Sequence, residues 1–160
     1  MTTARTNKMA KTVATAFLLA AALLITLAPI GPLPGFFIGG TATDTPAVWP
    51  DTSDLDEVRL RVGGTIPRVV IIWLVQLDNQ LYVMGSNDSG WVSMLGEGGP
   101  VNLRMEGSTY TLMAQRMTEG QLAVIEAYQE KYRADYPSIV NGMGSAQEML
   151  PGTSVYQLMR

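Results

Sequence analysis

The sequence has no cysteine and no histidine among its 160 residues. These two absences exclude the Ser-His-Asp and Cys-His nucleophile systems, zinc and iron–sulfur sites, and imidazole-ligated haem. Without thiols there is no disulfide framework either, so cysteine usage is silent on the redox compartment. Basic residues are also scarce. Three of the 11 lysines and arginines, Arg5, Lys8 and Lys11, lie in the first eleven residues, leaving 8 basic against 14 acidic residues beyond them, a net −6. A chain of that charge with no basic stripe repels nucleic acid.

Charge is absent altogether from residues 12–30, TVATAFLLAAALLITLAPI. About 20 apolar residues suffice for a helix to span a bilayer. Basic residues precede this run, and Asp44, Asp51, Asp54, Asp56 and Glu57 follow it, which places the N-terminus in the cytoplasm and the rest outside. Residues 1–11 read as a basic cytoplasmic tail and 12–38 as a transmembrane anchor. The expected protein is a single-pass protein of the cell membrane with an extracytoplasmic C-terminal domain. A secretory signal cleaved near Gly40-Thr41-Ala42, giving a secreted protein, is the alternative. Residues 39–54, rich in Thr, Pro and Asp, read as a linker. Trp49 within it has two possible places, the membrane interface or the surface of the domain.

Residues 55–160 read as one α+β domain, mainly β, with five or six antiparallel strands and one main helix. VRLRV at 58–62 alternates apolar residues with Arg59 and Arg61, the pattern of a strand with one wet face. Arg68 to Leu77 is apolar at odd and even positions alike, which predicts a central strand buried on both faces. Asp78-Asn79-Gln80 predicts a hairpin loop, and Leu81 to Ser86 the returning strand. WVSMLGEGG allows a turn or two of helix before its glycines stop it. VNLRME and YTLMAQRM predict a second hairpin around Gly107-Ser108-Thr109. In TEGQLAVIEAYQEKYR, Thr118 and Gln121 have capping-box spacing, and Leu122, Ile125, Tyr128 and Tyr132 recur at helical spacing. Tyr136-Pro137 closes that helix, and TSVYQLMR completes the sheet.

The stretch RVVIIWLVQLDNQLYVMGSNDSGW (68–91), with AYQEKYRADYP and the closing TSVYQLMR, resembles the pyridoxamine-phosphate-oxidase-like split β-barrels. Within them it is similar to the small domains related to deazaflavin-dependent nitroreductases and quinone reductases. The resemblance covers residues 55–160. It implies a homodimer of small split barrels that binds a flavin (FMN) or deazaflavin coenzyme near the subunit interface. The hydride chemistry then belongs to the cofactor and few acid–base residues are needed. Carried over by position, Gly85, Ser86, Asn87, Ser89, Gly90 and Trp91 form the cofactor rim. Gly64, Thr65 and Arg68 lie where the family has its phosphate-holding loop. That loop differs here: Gly63-Gly64-Thr65-Ile66-Pro67-Arg68 keeps one cation, and Asp88 stands in the rim.

Each feature also has a plainer reading. Trp91 either stacks on a flavin-like ring or caps the barrel end. Arg59, Arg61, Arg68, Arg104 and Arg116 either gather into an anion site or form the solvated face of a sheet. Tyr128, Tyr132 and Tyr136 read as helix packing with hydroxyls reaching outward. Methionines such as Met84, Met94, Met105, Met113 and Met117 either fill the core or line a soft pocket. Asp54, Asp56 and Glu57 either ligate a hard cation such as calcium or serve as linker charge that needs no such role, and no metal is expected. Two functions follow. One is a membrane-anchored, flavin- or deazaflavin-dependent oxidoreductase acting on a small acceptor such as a quinone or nitro compound. The other is a non-catalytic, membrane-tethered barrel that binds a hydrophobic ligand or a protein partner.

Overall fold

A computed structural model of the protein describes Thr15, residues 35–64 and residues 66–160. The anchor expected at 12–38 lies for most of its length outside the described residues. Among the described residues no helix is long and apolar enough to cross a membrane.

Side-chain alternation decides how the sheet faces. In β2 (Val58–Val62), Val58, Leu60 and Val62 are buried while Arg59 and Arg61 point outward. Strands β6 (Gly98–Met105) and β7 (Ser108–Arg116) repeat the pattern, with Val101, Leu103, Met105, Leu112 and Ala114 inward. They form the expected second hairpin, turning at Glu106-Gly107 with Glu106 left-handed (φ 51°). With β3 (Arg68–Ile72), β4 (Val75–Leu77), β5 (Gln80–Ser86) and β8 (Thr153–Met159), the described sheet has eight strands rather than the five or six expected; its hydrogen-bonded order is β3-β2-β6-β7-β8-β5-β4, antiparallel throughout, with β1 (Thr41–Ala42) added parallel to β7. The curled sheet with helices packed on it is a split barrel.

The run from Arg68 to Leu77 corrects the sequence reading. It is not one central strand but two, β3 (Arg68–Ile72) and β4 (Val75–Leu77), at opposite ends of the sheet order. Pairing with β2 ends at Ile72, opposite Val58, and pairing with β5 (Gln80–Ser86) starts at Val75, opposite Tyr82. Trp73 and Leu74 therefore cross the open seam of the barrel. The run is apolar on both sides because other segments cover it: the backbone of Gly35 bridges to Val69, and a helix packs over Val75. Burial on both faces of the sheet belongs instead to β8 (Thr153–Met159), whose Tyr156 and Leu158 enter the barrel while Val155 faces the helices.

Four helices complete the domain: α1 (Gly90–Leu95), α2 (Gln121–Arg133), α3 (Pro137–Gly142) and α4 (Ala146–Met149). Two cores result. One fills the barrel with Leu60, Leu81, Val83, Leu103, Leu158 and Trp91, and α1 closes its end. The other packs Val124, Ile125, Tyr128 and Tyr132 of α2 onto Val75 and Val155. Each fully buried Leu, Ile or Val contributes about 1.5–3 kcal/mol. The capping box expected at Thr118 and Gln121 is absent, because Gly120 adopts φ 74° and Gln121 Nε2 donates to the Met117 carbonyl instead. The box occurs at Ser145 and Glu148, at the start of α4.

The stretch expected as a linker is laid against the domain. Of the two places open to Trp49, the structure chooses the core: the ring is 3% exposed and meets Tyr110 edge-on at 5.1 Å. Its amide donates to Asn79 Oδ1 (2.8 Å) in the β4–β5 turn, where Asp78 and Asn79 are both left-handed, and Arg160 lies over its ring.

Candidate functional site

A barrel seam leaves backbone polar groups without ladder partners, and burying them unpaired is costly. Helix α2 supplies the partners. The Tyr132 hydroxyl accepts from the Leu74 amide (3.0 Å) and lies within donating distance of the Leu74 and Asp56 carbonyls (2.9 and 3.0 Å). The Tyr128 hydroxyl reaches the carbonyls of Trp73 (2.9 Å) and Tyr82 (3.0 Å), one on each side of the seam. Lys131 Nζ donates to the carbonyls of Thr52, Leu55 and Leu74 (2.7, 2.9 and 2.9 Å). The hydroxyls of Tyr128 and Tyr132 thus turn inward, contrary to the sequence reading. Burial pushes the Tyr128 phenol well above its ordinary value and that of Tyr132 up to about 12. Burial also lowers the Lys131 ammonium, against the opposing pull of Asp56, Asp51 and Asp54.

Beside this seam lies a cleft of about 440 Å3, within the range of small-molecule sites. Its walls are Ile71, Ile72 and Trp73 on one side and Met84, Gly85 and Ser86 on the other, roofed by residues of the helical layer such as Ile139 and Met149. Trp73 is stacked on Tyr132 at 4.1 Å and 11° between planes, so its indole is held rigidly. Strand β4 pairs only Gln80 to Tyr82 of β5, so from Val83 onward β5 has no strand on that side among the described residues. The cleft therefore combines apolar walls with an open strand edge. Its one ionisable carboxylate is Glu57, and no Lys or Arg lines it among the described residues.

The sequence-predicted rim and loop are not gathered here. Only Gly85 and Ser86 line the cleft. Trp91 lies on the inner side of β5, 6% exposed, 5.6 Å from Tyr156 and directly behind Gly85, where an added Cβ would come within 2.5 Å of the indole. It caps the barrel end. Asn87 ties β5 to β8, donating from Nδ2 to the Pro151 carbonyl (3.0 Å) and accepting from Ser154 Oγ (2.6 Å). Ser89 precedes α1 without a side-chain capping bond, and Gly90 abuts the Arg68 guanidinium, which an added Cβ would displace. Arg68 lines a separate hollow with Phe36 and Met94, and Gly64 another with Arg61 and Asn102. Thr65 lies outside the described residues. The five arginines do not form one site: Arg59 and Arg104 are neighbours on the adjacent strands β2 and β6 and line a hollow with Glu57 and Glu106, Arg104 also donates to the Ile38 and Glu106 carbonyls, Arg61 and Arg68 line other hollows, and Arg116 pairs with Glu97 at 3.3 Å.

The cleft residues that sequence reading missed, Ile71, Ile72, Trp73, Tyr128 and Ile139 among them, are ordinary apolar residues. The methionine content was the one signal that pointed toward them, through Met84. A larger hollow of about 710 Å3 lies between the 49–53 segment, the β4–β5 hairpin and α2. Its one lysine, Lys131, already donates to three carbonyls, which leaves it little to offer a ligand.

No protein-family model matches the chain, and no curated protein matches it in sequence. Among solved structures it is similar to a NimC/NimA family protein from Clostridium acetobutylicum, at 15% identity and a TM-score of 0.47 over 65% of this chain and 73% of that one. It is similar at 14% identity and a TM-score of 0.47 to HutZ, the heme storage protein from Vibrio cholerae, over 65% of this chain and 80% of that one. A protein of unknown function from Agrobacterium tumefaciens matches at 14% identity and a TM-score of 0.44 over 64% of this chain, which spans 47% of that longer protein. At these identities the likeness concerns the fold alone.

Proposed function

We propose that this split barrel is an oxidoreductase-like protein whose seam cleft receives a planar heterocycle, the ring of a flavin or deazaflavin, for reaction with a small acceptor such as a quinone or nitro compound. The observation that carries the reading is the cleft's make-up: apolar walls at Ile71, Ile72 and Met84 for the faces of a ring, and the open edge of β5 beyond Tyr82 for its hydrogen-bonding rim. Such a ring supplies hydride transfer when bound. The chain's own part is to bind and orient it, to exclude water with Ile139 and Met149, and to hold the walls in register through Tyr128 and Tyr132. In this reading the domain stands outside the cytoplasm on an anchor formed by the uncharged run at 12–30, as one half of a homodimer.

The charged tail of such a coenzyme fits less well than the ring. A phosphate needs cations or a nest of amides, whereas the cleft offers Glu57. This favours, as the second reading, a barrel that binds an uncharged apolar ligand without redox chemistry. Titration of riboflavin, FMN and a short-chain quinone, followed by quenching of tryptophan fluorescence, separates the two. Saturable binding of riboflavin with weaker binding of FMN supports a ring site without a phosphate anchor. Quinone binding with no flavin binding selects the second reading, and no binding of any of them by folded protein refutes the cleft as a ring site.

A further inference from the structure

Three large apolar side chains left exposed among the described residues, Phe36, Ile66 and Met94, line one hollow of about 270 Å3 with Gly35, Pro67 and Arg68. Phe37, next in sequence, is 67% exposed. These residues come from three separate segments, so the fold itself gathers them at one end of the barrel.

The patch also stands at a fixed distance from the uncharged run at 12–30. Gly35 and Val69 exchange two backbone hydrogen bonds, Gly35 N to Val69 O at 2.9 Å and Val69 N to Gly35 O at 2.7 Å. That pins the chain to β3 beside the patch. From Ile30 to Gly35 is five residue steps, at most about 17 Å of extended chain. If the 12–30 run spans a bilayer, the patch lies within that reach of its surface. Aromatic rings are favoured at that interface, amphipathic surfaces sink roughly 5–10 Å into it, and arginine at its edge meets the lipid phosphates.

We propose that this end of the barrel is seated on the lipid bilayer, with Phe36, Phe37, Ile66 and Met94 in the interfacial layer and Arg68 toward the headgroups. The proposal rests on the anchor reading of residues 12–30. It gives the seam cleft a place as well. Strand β3 runs from Arg68 at the surface to Ile71 and Ile72 in the cleft, about 10 Å away at 3.3 Å per residue. The cleft then opens near the headgroups, within reach of lipid-soluble molecules.

The lack of native cysteine makes the test direct. The full chain, as Ile66→Cys or Val48→Cys, is labelled with a polarity-sensitive fluorophore and reconstituted in phosphatidylcholine vesicles carrying a shallow nitroxide lipid. Val48 is 70% exposed and lies beside the β4–β5 turn, at the far end of the 68–77 run from Arg68. The expected result is several-fold stronger quenching at 66 than at 48, with the chain retained in the vesicles after an alkaline carbonate wash. Equal quenching with retention overturns the docking and leaves the anchor. Release by the wash overturns both. Disulfide-linked dimers of unlabelled Ile66→Cys, without quenching at 66, overturn it in favour of a second copy as the occupant.

Discussion

Replacing Tyr132 by Phe keeps the ring stacked on Trp73 and removes one oxygen. That oxygen accepts from the Leu74 amide at 3.0 Å, and Leu74 is fully buried. An orphaned buried donor costs about 1–3 kcal/mol, and the carbonyl that loses the hydroxyl proton adds about 0.5–1 kcal/mol, for a total of about 1.5–4 kcal/mol. The Leu74 carbonyl itself keeps Lys131 Nζ at 2.9 Å, so the loss is mainly that of the amide. Tyr128→Phe is the companion test. Its hydroxyl reaches the carbonyls of Trp73 and Tyr82 and also accepts from the Met84 amide, so a donor is stranded here too and a similar cost is expected. Urea unfolding of the full chain in mild detergent, followed by tryptophan fluorescence, reads both. With a slope of about 2 kcal/mol per molar, each variant lowers the midpoint by about 1–2 M. A cost below about 0.5 kcal/mol for either variant would refute the claim that these phenols replace the missing ladder.

Alkali should unfold the domain through the same groups. The folded Tyr132 titrates at about 12 against 10.0 for an unperturbed phenol, so between those values the unfolded chain binds fewer protons and stability falls as pH rises. Lys131, lowered from 10.5, acts oppositely just below that pH, where the unfolded chain binds more protons and stability rises with pH. Phenolate absorbance should therefore appear in step with loss of structure, and early ionisation of every tyrosine in folded protein would contradict the burial. Gly85→Ala drives a methyl into the Trp91 indole and should cost about 1–3 kcal/mol while shifting the tryptophan emission; an unchanged midpoint would mean the indole yields freely. Glu57→Lys places a cation in the cleft and should tighten FMN binding by ~1–2 kcal/mol, roughly tenfold, with riboflavin unchanged. Equal gains for both would show that the phosphate lies elsewhere.

Much of the domain was legible because alternation is a local signal. The β2 and β6 strands, the β6–β7 hairpin, helix α2 and strand β8 all announce themselves by spacing. The break at Trp73-Leu74 does not, since an edge strand covered by other segments has the same apolar pattern as a central one. The seam cleft was illegible for a related reason. It is made where two distant edges fail to pair, and its lining carries no chemical signature of its own. The rim residues Asn87, Ser89 and Gly90 looked like a binding loop because small polar residues serve turns and ligands equally; here Asn87 is spent on Pro151 and Ser154.

Because Trp73 and Leu74 join the two outermost strands of the sheet, the gap between those strands has a spine. Like the covers of a book, β3 and the part of β5 that runs on past β4 face each other across the cleft, while the binding at residues 73–74 is stitched by two phenols and one ammonium. The same stitching lines the cleft from within, through Trp73 and Tyr128.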